Sequence, residues 1–403
     1  MGICIKEALR LIQGSIKEVS FEIVSIENSG NRISAQDIYA KYSLPTYNNS
    51  AMDGYGVRLN DTTKIVDVID SIHAGSHKQT KIEDGQCIKI MTGARIPTSV
   101  QAVVPIEIIE TVEDTQSRVK LPQNIKDNQH IRFIGEDILK DDLLISKGDE
   151  INFATITLLA SQGITHIKVY RKPKVSVFTS GEELKLHYEK IEDYQVYNSN
   201  TPTLLQRVKE LGCEATFTGM AKDTVESLQE TITNSLHADF IITTGGVSVG
   251  DYDFVQDVIK DKLKCEVLFH GVTIKPGMHI LVAKKDEKII IALPGFAYSS
   301  TVCAILYLLP LVYKYKGSNE KLPIVKAKIH QNLPMKMKKT IFTACNVYYE
   351  NGEYNINFEG KKQGTSAILT NLLHSPALLI QDENSSDIKN GDYVDIVLLN
   401  DIK

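Results

Sequence analysis

Paired cysteines are absent from this sequence. Cys4, Cys87, Cys213, Cys265, Cys303 and Cys345 are scattered with no CxxC spacing, which speaks against a zinc site or a disulfide framework and predicts free, mostly buried thiols in a reducing cytoplasm. An excess of basic charge is absent too. With 45 Lys and Arg against 50 Asp and Glu the formal net charge is −5, so no nucleic-acid surface is expected. Long hydrophobic runs are missing: the most apolar stretch, Val302 to Val312 (VCAILYLLPLV), contains Pro310 and falls short of the roughly 20 residues that a membrane span needs. The first residues, MGICIKEALRLIQGSIKEV, carry Lys6, Glu7 and Arg10 inside their apolar pattern; they lack the unbroken core of a signal peptide and read as an amphipathic helix. Gly2 is followed by Lys6 where a myristoylation motif takes Ser or Thr. Internal repeats and low-complexity tracts are not seen. What remains is 403 residues, 42% hydrophobic and 24% charged, an ordinary globular composition with chain enough for about two to four domains.

An Ile/Val-containing segment runs from about Phe21 to Tyr39, and Pro45 opens a different style. From there to Asp141 short β-type runs (KIVDVI, CIKIMT, AVVPIEII, RVKLP) alternate with Gly, Asn and Pro turns, the pattern of a β-rich domain. FATITLLASQGITHIKVY predicts a helix stopped at Gly163 and then a strand, with a linker at Lys172 and Pro173. From Val175 strands and helices alternate (VSVFTS, TPTLLQRVKELG, EATFTG, DTVESLQETITNSL, DFIITTGG, DFVQDVIKDKL), and short connections imply right-handed βαβ units and a parallel sheet. Thr201 and Pro202 suit the N-cap and first position of one helix, and Gly212 suits its C′ position. After Pro323 the pattern is β again, and Asn351-Gly352 and Asn390-Gly391 predict hairpin turns in a small C-terminal β domain.

The most informative segment is TTGGVSVGDYDFV, Thr243 to Val255. It joins a buried-type strand, a glycine turn, two carboxylates and a helix start at a strand end, where parallel α/β sheets bind ligands. Gly245, Gly246 and Gly250 allow positive φ and close backbone approach, and the helix start offers unpaired N–H groups to an anion such as phosphate. Asp251 and Asp253 fit either a hard cation placed between them and a phosphate, or an N-cap and an acid favoured by the helix dipole. Two more strand ends are decorated: TSGEEL places Glu182 and Glu183 after Gly181, and KPG places Lys275 after VLFHGVTI. Glu183 suits a metal, a base or a ribose hydroxyl, or else a helix-terminal acid; Lys275 suits a phosphate. LPGFAYSS ends a fourth strand, and Ser299 or Ser300 is expected to cap the helix that follows. If each follows a strand of one sheet, Glu183, Asp253 and Lys275 share one rim. In the β-rich domain NNSAMDGYGVR, IMTGARIP and RFIGEDI set carboxylates or the Thr92 hydroxyl beside glycines, which together suggest a cleft between domains.

In this order, NSAMDGYGVR, IMTGARIPTSVQAVVPIE, IRFIGEDI, FTSGEELK with YNSNTPTLL, TTGGVSVGDYDFV, IKPGMHILVA and LPGFAYSS resemble the MoeA family, related to the catalytic domain of gephyrin. The resemblance covers nearly the whole chain. It implies a multidomain α/β plus β fold: a central parallel-sheet molybdopterin-binding domain (1–20 and 169–320), a linking and dimerisation domain (21–39 and 141–168), a β-rich insertion (40–140) and a C-terminal β-barrel-like domain (321–403), in an elongated homodimer. The implied activity is insertion of molybdate or tungstate into adenylylated molybdopterin with release of AMP, assisted by Mg²⁺ or Zn²⁺, in a cleft shared between subunits. Implied site residues are Asp53, Thr92, Asp137, Glu183, Asp253 and Lys275 for catalysis, with Glu183, Asp251 and Asp253 as metal ligands. Gly245, Gly246, Ser248, Gly250, Asp223, Pro294, Gly295 and Ser299 are implied to hold the pterin ligand. Implied partners are a molybdopterin adenylyltransferase and molybdoenzyme chaperones or acceptors, with no nucleic acid and no membrane.

This chain departs from the family pattern at several positions. Gly271 stands where the family commonly has a lysine, Phe296 and Ala297 where it has Asn and Pro, Ala344 where an arginine is expected, and Thr365 where QGS has its serine. Lys336, Lys338, Lys339, Lys361 and Lys362 could replace the missing cations, although a solvated basic face is the simpler expectation for them. Gly271, Ala297 and Ala344 are the features that favour an alternative, a non-catalytic molybdopterin-binding or scaffold paralogue. The additional β domains argue against a stand-alone adenylyltransferase.

Overall fold

The structure is a computed structural model that describes residues 2–16, 20–62, 64–112, 117–247, 254–318, 321–335, 338–362, 367–374 and 376–399. Its centre is a six-stranded sheet in the order Glu214–Ala221, Lys174–Ser180, Phe240–Thr244, Lys288–Leu293, Leu281–Lys285, Glu266–His270. The first four strands are parallel. Leu281–Lys285 runs against them and Glu266–His270, antiparallel to it, runs with them again, which corrects the expectation of a wholly parallel sheet: Leu281–Lys285 returns as Lys288–Leu293 through the short turn at Asp286 (φ 53°), and a hairpin cannot be parallel. The central strands are apolar without a break because helices cover both faces. Val175, Val177, Phe240, Ile242, Ile289 and Ile291 face Ala8 and Ile12 of the amphipathic helix Ile5–Gly14, Leu204, Val208 and the helical residues 297–315. Phe178, Ile241, Ile290 and Ala292 face Leu228, Ile232, Val258 and Ile259.

The helical segment Ala297–Tyr315 has 19 residues and is apolar enough to cross a membrane by length and composition, yet 83% of its apolar window is buried inside this protein. Its middle, Ala304–Leu308, is a π turn just before Pro310. That placement follows from proline chemistry, since a wider turn absorbs the missing N–H and the ring clash that would break an α-helix. The earlier helix Asn200–Glu210 starts sooner than its sequence suggests: the Asn198 side chain accepts from the Thr201 N–H (3.0 Å), so Thr201 is not the N-cap. Gly212 takes the C′ role at φ 73°.

A second six-stranded sheet orders Ala102–Pro105, Gly54–Val57, Gln86–Ile90, Ile65–Ile72, Arg118–Lys120 and Glu110–Thr111. Between it and the central sheet, Phe21–Ser25 pairs antiparallel with His166–Tyr170. The helix Phe153–Ser161 lies beside that ribbon, closed by an Asn152–Thr155 capping box. The C-terminal sheet contains Ile324–Ile329, Thr340–Glu350, Glu353–Asn357, Pro376–Gln381 and Tyr393–Leu398; Pro376–Gln381 also pairs back onto Thr340–Glu350 and closes it. Asn351 and Gly352 both have left-handed φ (51° and 85°), the turn a two-residue hairpin requires. Asn390-Gly391 makes no such two-residue hairpin: Pro376–Gln381 does pair antiparallel with Tyr393–Leu398, but it ends at Gln381, well before the dipeptide, and of the two residues Gly391 alone has a left-handed φ (91°). The short strand Ile274–Lys275 joins this C-terminal sheet, parallel to Thr340–Ile341. Lys275 therefore does not end a strand of the central sheet, as the sequence suggested. Of the six free cysteines only Cys4 is exposed.

One ion pair ties the base of the central unit. Asp239, just before the strand Phe240–Thr244, takes two bonds from Arg171 (2.9 and 3.0 Å) and one from the Lys174 N–H (2.8 Å). Arg171 also reaches Ser20 (2.9 Å) and the Tyr315 hydroxyl. Burial pushes the Asp239 carboxyl up, but Arg171, Lys174 N–H and Tyr315 outweigh it and hold its pKa below the ordinary value. Arg171→Ala should lower the unfolding free energy by about 2 kcal/mol, less than for a fully stranded charge because Lys288 Nζ remains 3.6 Å from Asp239 Oδ1. The folded pKa lies below the unfolded value of about 3.9, so the pair's contribution is complete above that pH and fades as pH falls through the folded value. Urea titrations should show the Arg171→Ala deficit shrinking in acid; a deficit unchanged down to pH ~2 would mean that the pair is not ionic.

Candidate functional site

The carboxyl ends of the central strands open into a cavity of about 1460 Å³ walled on its other side by the C-terminal sheet. After Ser180 the chain turns at Gly181 (φ 140°), and the Glu183 carboxylate folds back over it: a Cβ at Gly181 would stand 2.8 Å from Glu183 Oε2. No helix follows. Leu184–Lys185 pairs instead with Val196–Tyr197, so the reading of Glu183 as a helix-terminal acid is overturned, and Glu183 lines the cavity. Asp223 lies behind this turn rather than among the cavity residues. Burial raises its pKa and the neighbouring Glu183 and Glu182 charges add to the rise, against a bond from the Glu182 N–H.

The strand Phe240–Thr244 leads into Gly245 (φ 92°) and Gly246 (φ 67°), both on the cavity wall. A Cβ would meet Ser180 O at 2.9 Å from Gly245 and Val255 Cγ2 at 2.6 Å from Gly246, so both contact and φ demand glycine. Ser248, Gly250, Asp251 and Asp253 lie outside the described residues; the helix is described from Phe254. Pro294 and Gly295 continue the wall, and Asn200 Nδ2 donates to the Gly295 carbonyl at 2.7 Å. The helix after them has Phe296 at its N-cap. Ser299 and Ser300 are buried inside its first turns, which corrects their reading as caps, and Ser299 lines the cavity.

The C-terminal wall is basic. Lys275, Lys339, Lys361 and Lys362 line it, whereas Glu183 is the one acid among the described lining residues. Lys361 Nζ donates to the Asn371 and Leu373 carbonyls (2.9 and 2.7 Å), and burial lowers its pKa. Lys339 Nζ lies 3.3 Å from Met278 Sδ. These lysines are thus not merely a solvated face, although Lys338 is not on the wall and Lys336 lies outside the described residues. Ala344 is on the wall but only 4% exposed, its N–H donating to Tyr298 Oη at 3.1 Å. Gly271 is not on it. Gly271 sits at φ 81°, bonded to Ile3 and Ile280, so a lysine there would be strained and the position supplies no cation to this cavity. Thr365 lies outside the described residues.

Asp53, Thr92 and Asp137 do not line this cavity. Asp53 Oδ1 accepts from the Thr92 N–H and hydroxyl, each at 2.7 Å, and these two bonds, the N–H first, hold the Asp53 carboxyl below its ordinary range. Gly54 allows the turn to sit tight, since a Cβ would fall 2.2 Å from Val104 O. The three polar turns form one surface: Gly93 N–H bonds Ser50 O, Ala51 N–H bonds His130 O and Ile134 N–H bonds Asn48 Oδ1. Asp137 is exposed on the adjoining segment, its N–H bonded to Leu44 O. Sequence reasoning missed Asn198, Asn200 and Tyr298 as supports of the site; the YNSN run was the available signal for the first two.

Residues 3–163 match the MoeA N-terminal region (domain I and II), and residues 176–314 match a probable molybdopterin binding domain. A molybdopterin molybdenumtransferase of Staphylococcus epidermidis is 30% identical over 405 residues, covering 98% of this chain and 95% of the relative. One from Staphylococcus aureus is 31% identical over 403 residues with the same coverage, 98% and 95%. The crystal structure of a molybdopterin biosynthesis MoeA protein from Pyrococcus horikoshii superposes with TM-score 0.84 at 28% identity, over 100% of both chains. A second structure of the MoeA protein from that organism gives 0.81 at 26% identity, over 99% of this chain and 100% of that one.

Thr92→Val should raise the Asp53 titration midpoint toward the ordinary carboxylate value, read by NMR of the side-chain carboxyl, because one of its two charge-stabilising bonds is lost. An unmoved midpoint would show that the hydroxyl bond does not form in solution.

Proposed function

This chain belongs to the MoeA family and is a molybdopterin molybdenumtransferase of molybdenum cofactor biosynthesis, and on that premise we propose that the cavity above the central sheet holds adenylylated molybdopterin while molybdate or tungstate is inserted and AMP leaves. The observation that carries this reading is the meeting of two unlike walls: glycine turns with Glu183 on one side, and Lys275, Lys339, Lys361 and Lys362 on the other. A doubly phosphorylated, anionic substrate suits that arrangement. Gly245 and Gly246 let backbone approach a phosphate, and the lysines neutralise charge on the phosphates and on the oxyanion. The same lysines, together with the close relatives being molybdopterin molybdenumtransferases, speak against the alternative of a scaffold protein without oxyanion handling.

Among the described residues no group of three or more His, Cys, Asp and Glu stands ready for a metal. Glu183, backed by Asp223 with its raised pKa, nonetheless fits Mg²⁺, which takes one or two carboxylates and completes its shell with phosphate and water; Zn²⁺ prefers Cys and His. Asp251 and Asp253 join this proposed set by family resemblance. Bound there, the cation would polarise the phosphoanhydride for cleavage. The chain's own part is to orient: Glu183 fixes the phosphate side, Lys275 offsets charge building on the departing phosphate, and Ser299 and Pro294 border the bound ligand. Asp53, Thr92 and Asp137 are proposed to act on the cavity of a second copy in a homodimer, since they form one exposed surface away from their own chain's cavity.

Release of AMP from adenylylated molybdopterin, with Mg²⁺ and molybdate supplied, tests the reading. Lys275→Ala and Glu183→Gln should each slow it by ~10²-fold, the usual cost of removing one electrostatic group from a site of developing charge, with thermal stability kept because Lys275 is exposed and Glu183 sits in a surface turn. Normal turnover in both variants would remove this cavity from the mechanism.

A further inference from the structure

We propose that Phe296 is a specificity-determining residue of the cavity, a stacking platform for a flat heteroaromatic ring of the substrate. The inference rests on the reading of the cavity given above. Phe296 lines the cavity and is 63% exposed, whereas Tyr298, Ser299 and Ser300 just after it are buried. An apolar ring left open on the wall of a large cavity gains stabilisation when a ligand covers it, and a flat ring covers its face most completely. Among the described residues no ring contact or cation–π contact involves Phe296.

Its backbone is held in place. Phe296 O accepts the Ser300 N–H at 2.9 Å in the first helical turn, and Asn200 fixes the preceding Gly295 carbonyl at 2.7 Å. Gly295 also lies against Gly245, whose Cα would be 3.7 Å from a Cβ at Gly295. The start of this helix therefore lies beside the glycine turn proposed to receive phosphate, and Phe296 lines the same cavity. A purine or pterin tethered to a phosphate could then place its ring on Phe296 while its phosphate meets the Gly245–Gly246 turn. Lysines on the facing unit cannot supply such a contact, so Phe296 would select for the ring rather than the charge. Val196, Tyr197 and Met278 are further apolar lining residues of the same cavity.

The chain contains no tryptophan, so Phe296→Trp gives a single reporter. AMP and 6-hydroxymethylpterin are the two ring probes, and ribose 5-phosphate and pyrophosphate the ring-free controls. One or both ring probes should quench the Phe296→Trp emission and the controls should not. By calorimetry, Phe296→Ala should bind the quenching probe ~10-fold more weakly, within the range for loss of one stacked base, and bind pyrophosphate unchanged. Phe296→Tyr should restore the loss, which separates stacking from misfolding. If Phe296→Ala keeps native affinity for both ring probes while the native protein binds AMP and releases it from adenylylated molybdopterin, the stacking role is wrong and the cavity reading stands. If the native protein does neither, both fall.

Discussion

The Arg171–Asp239 pair is the constraint on which the rest of the molecule hangs. It joins four parts of the chain at the amino end of the central strands: Ser20 just before the strand Phe21–Ser25, the end of the linking ribbon, the start of the strand Phe240–Thr244 and, through Tyr315, the end of the long buried helix. A charge pair this shielded stabilises only when its remaining donors and acceptors are met, and here Ser20, Lys172 O and the Lys174 N–H meet them. With the base clamped, the opposite ends of the same strands are free to finish in glycine turns. Those turns carry little side-chain packing, and the fold tolerates them because the sheet below is buried on both faces.

The cavity draws its two signs of charge from different sheets. Acid comes from the turn after Ser180, and the basic wall comes from the C-terminal unit, to which Lys275 belongs by hydrogen bonding although it precedes that unit in the chain. Segregation of this kind lets each wall fold without a repulsive or self-neutralising neighbour. Lys339, Lys361 and Lys362 bring cations to the wall at positions other than Ala344 and Gly271, and Lys361 is held by two backbone carbonyls.

Much of this was legible in the residues. The Asn351-Gly352 hairpin, the helix before Gly163 and the buried strands ending in glycine follow from local chemistry, and the structure has them. What failed was what only tertiary pairing decides. Ile274–Lys275 is too short to show a period, so nothing in it tells which sheet it joins. Glu183 follows a strand as a helix acid would, but the chain turns back to pair with Val196–Tyr197. The lysines of the last unit look like any solvated face until the strands between them are closed into a sheet against the central unit. Asn390-Gly391 has the right dipeptide for a hairpin, but the strand that pairs across it stops at Gln381, so the connection is long rather than a two-residue turn.

The strand Ile274–Lys275 has a further consequence. The last unit of the chain borrows an edge from residues that lie inside the sequence of the central one, and Phe342, Ala344, Leu378 and Val397 share a single apolar core with Tyr298 and Val302. The C-terminal sheet is therefore not a cassette that recombination could append or delete at a clean joint. Removing it would leave Ile274–Lys275 without its pairing partner and open the apolar side chains of Tyr298 and Val302 to water.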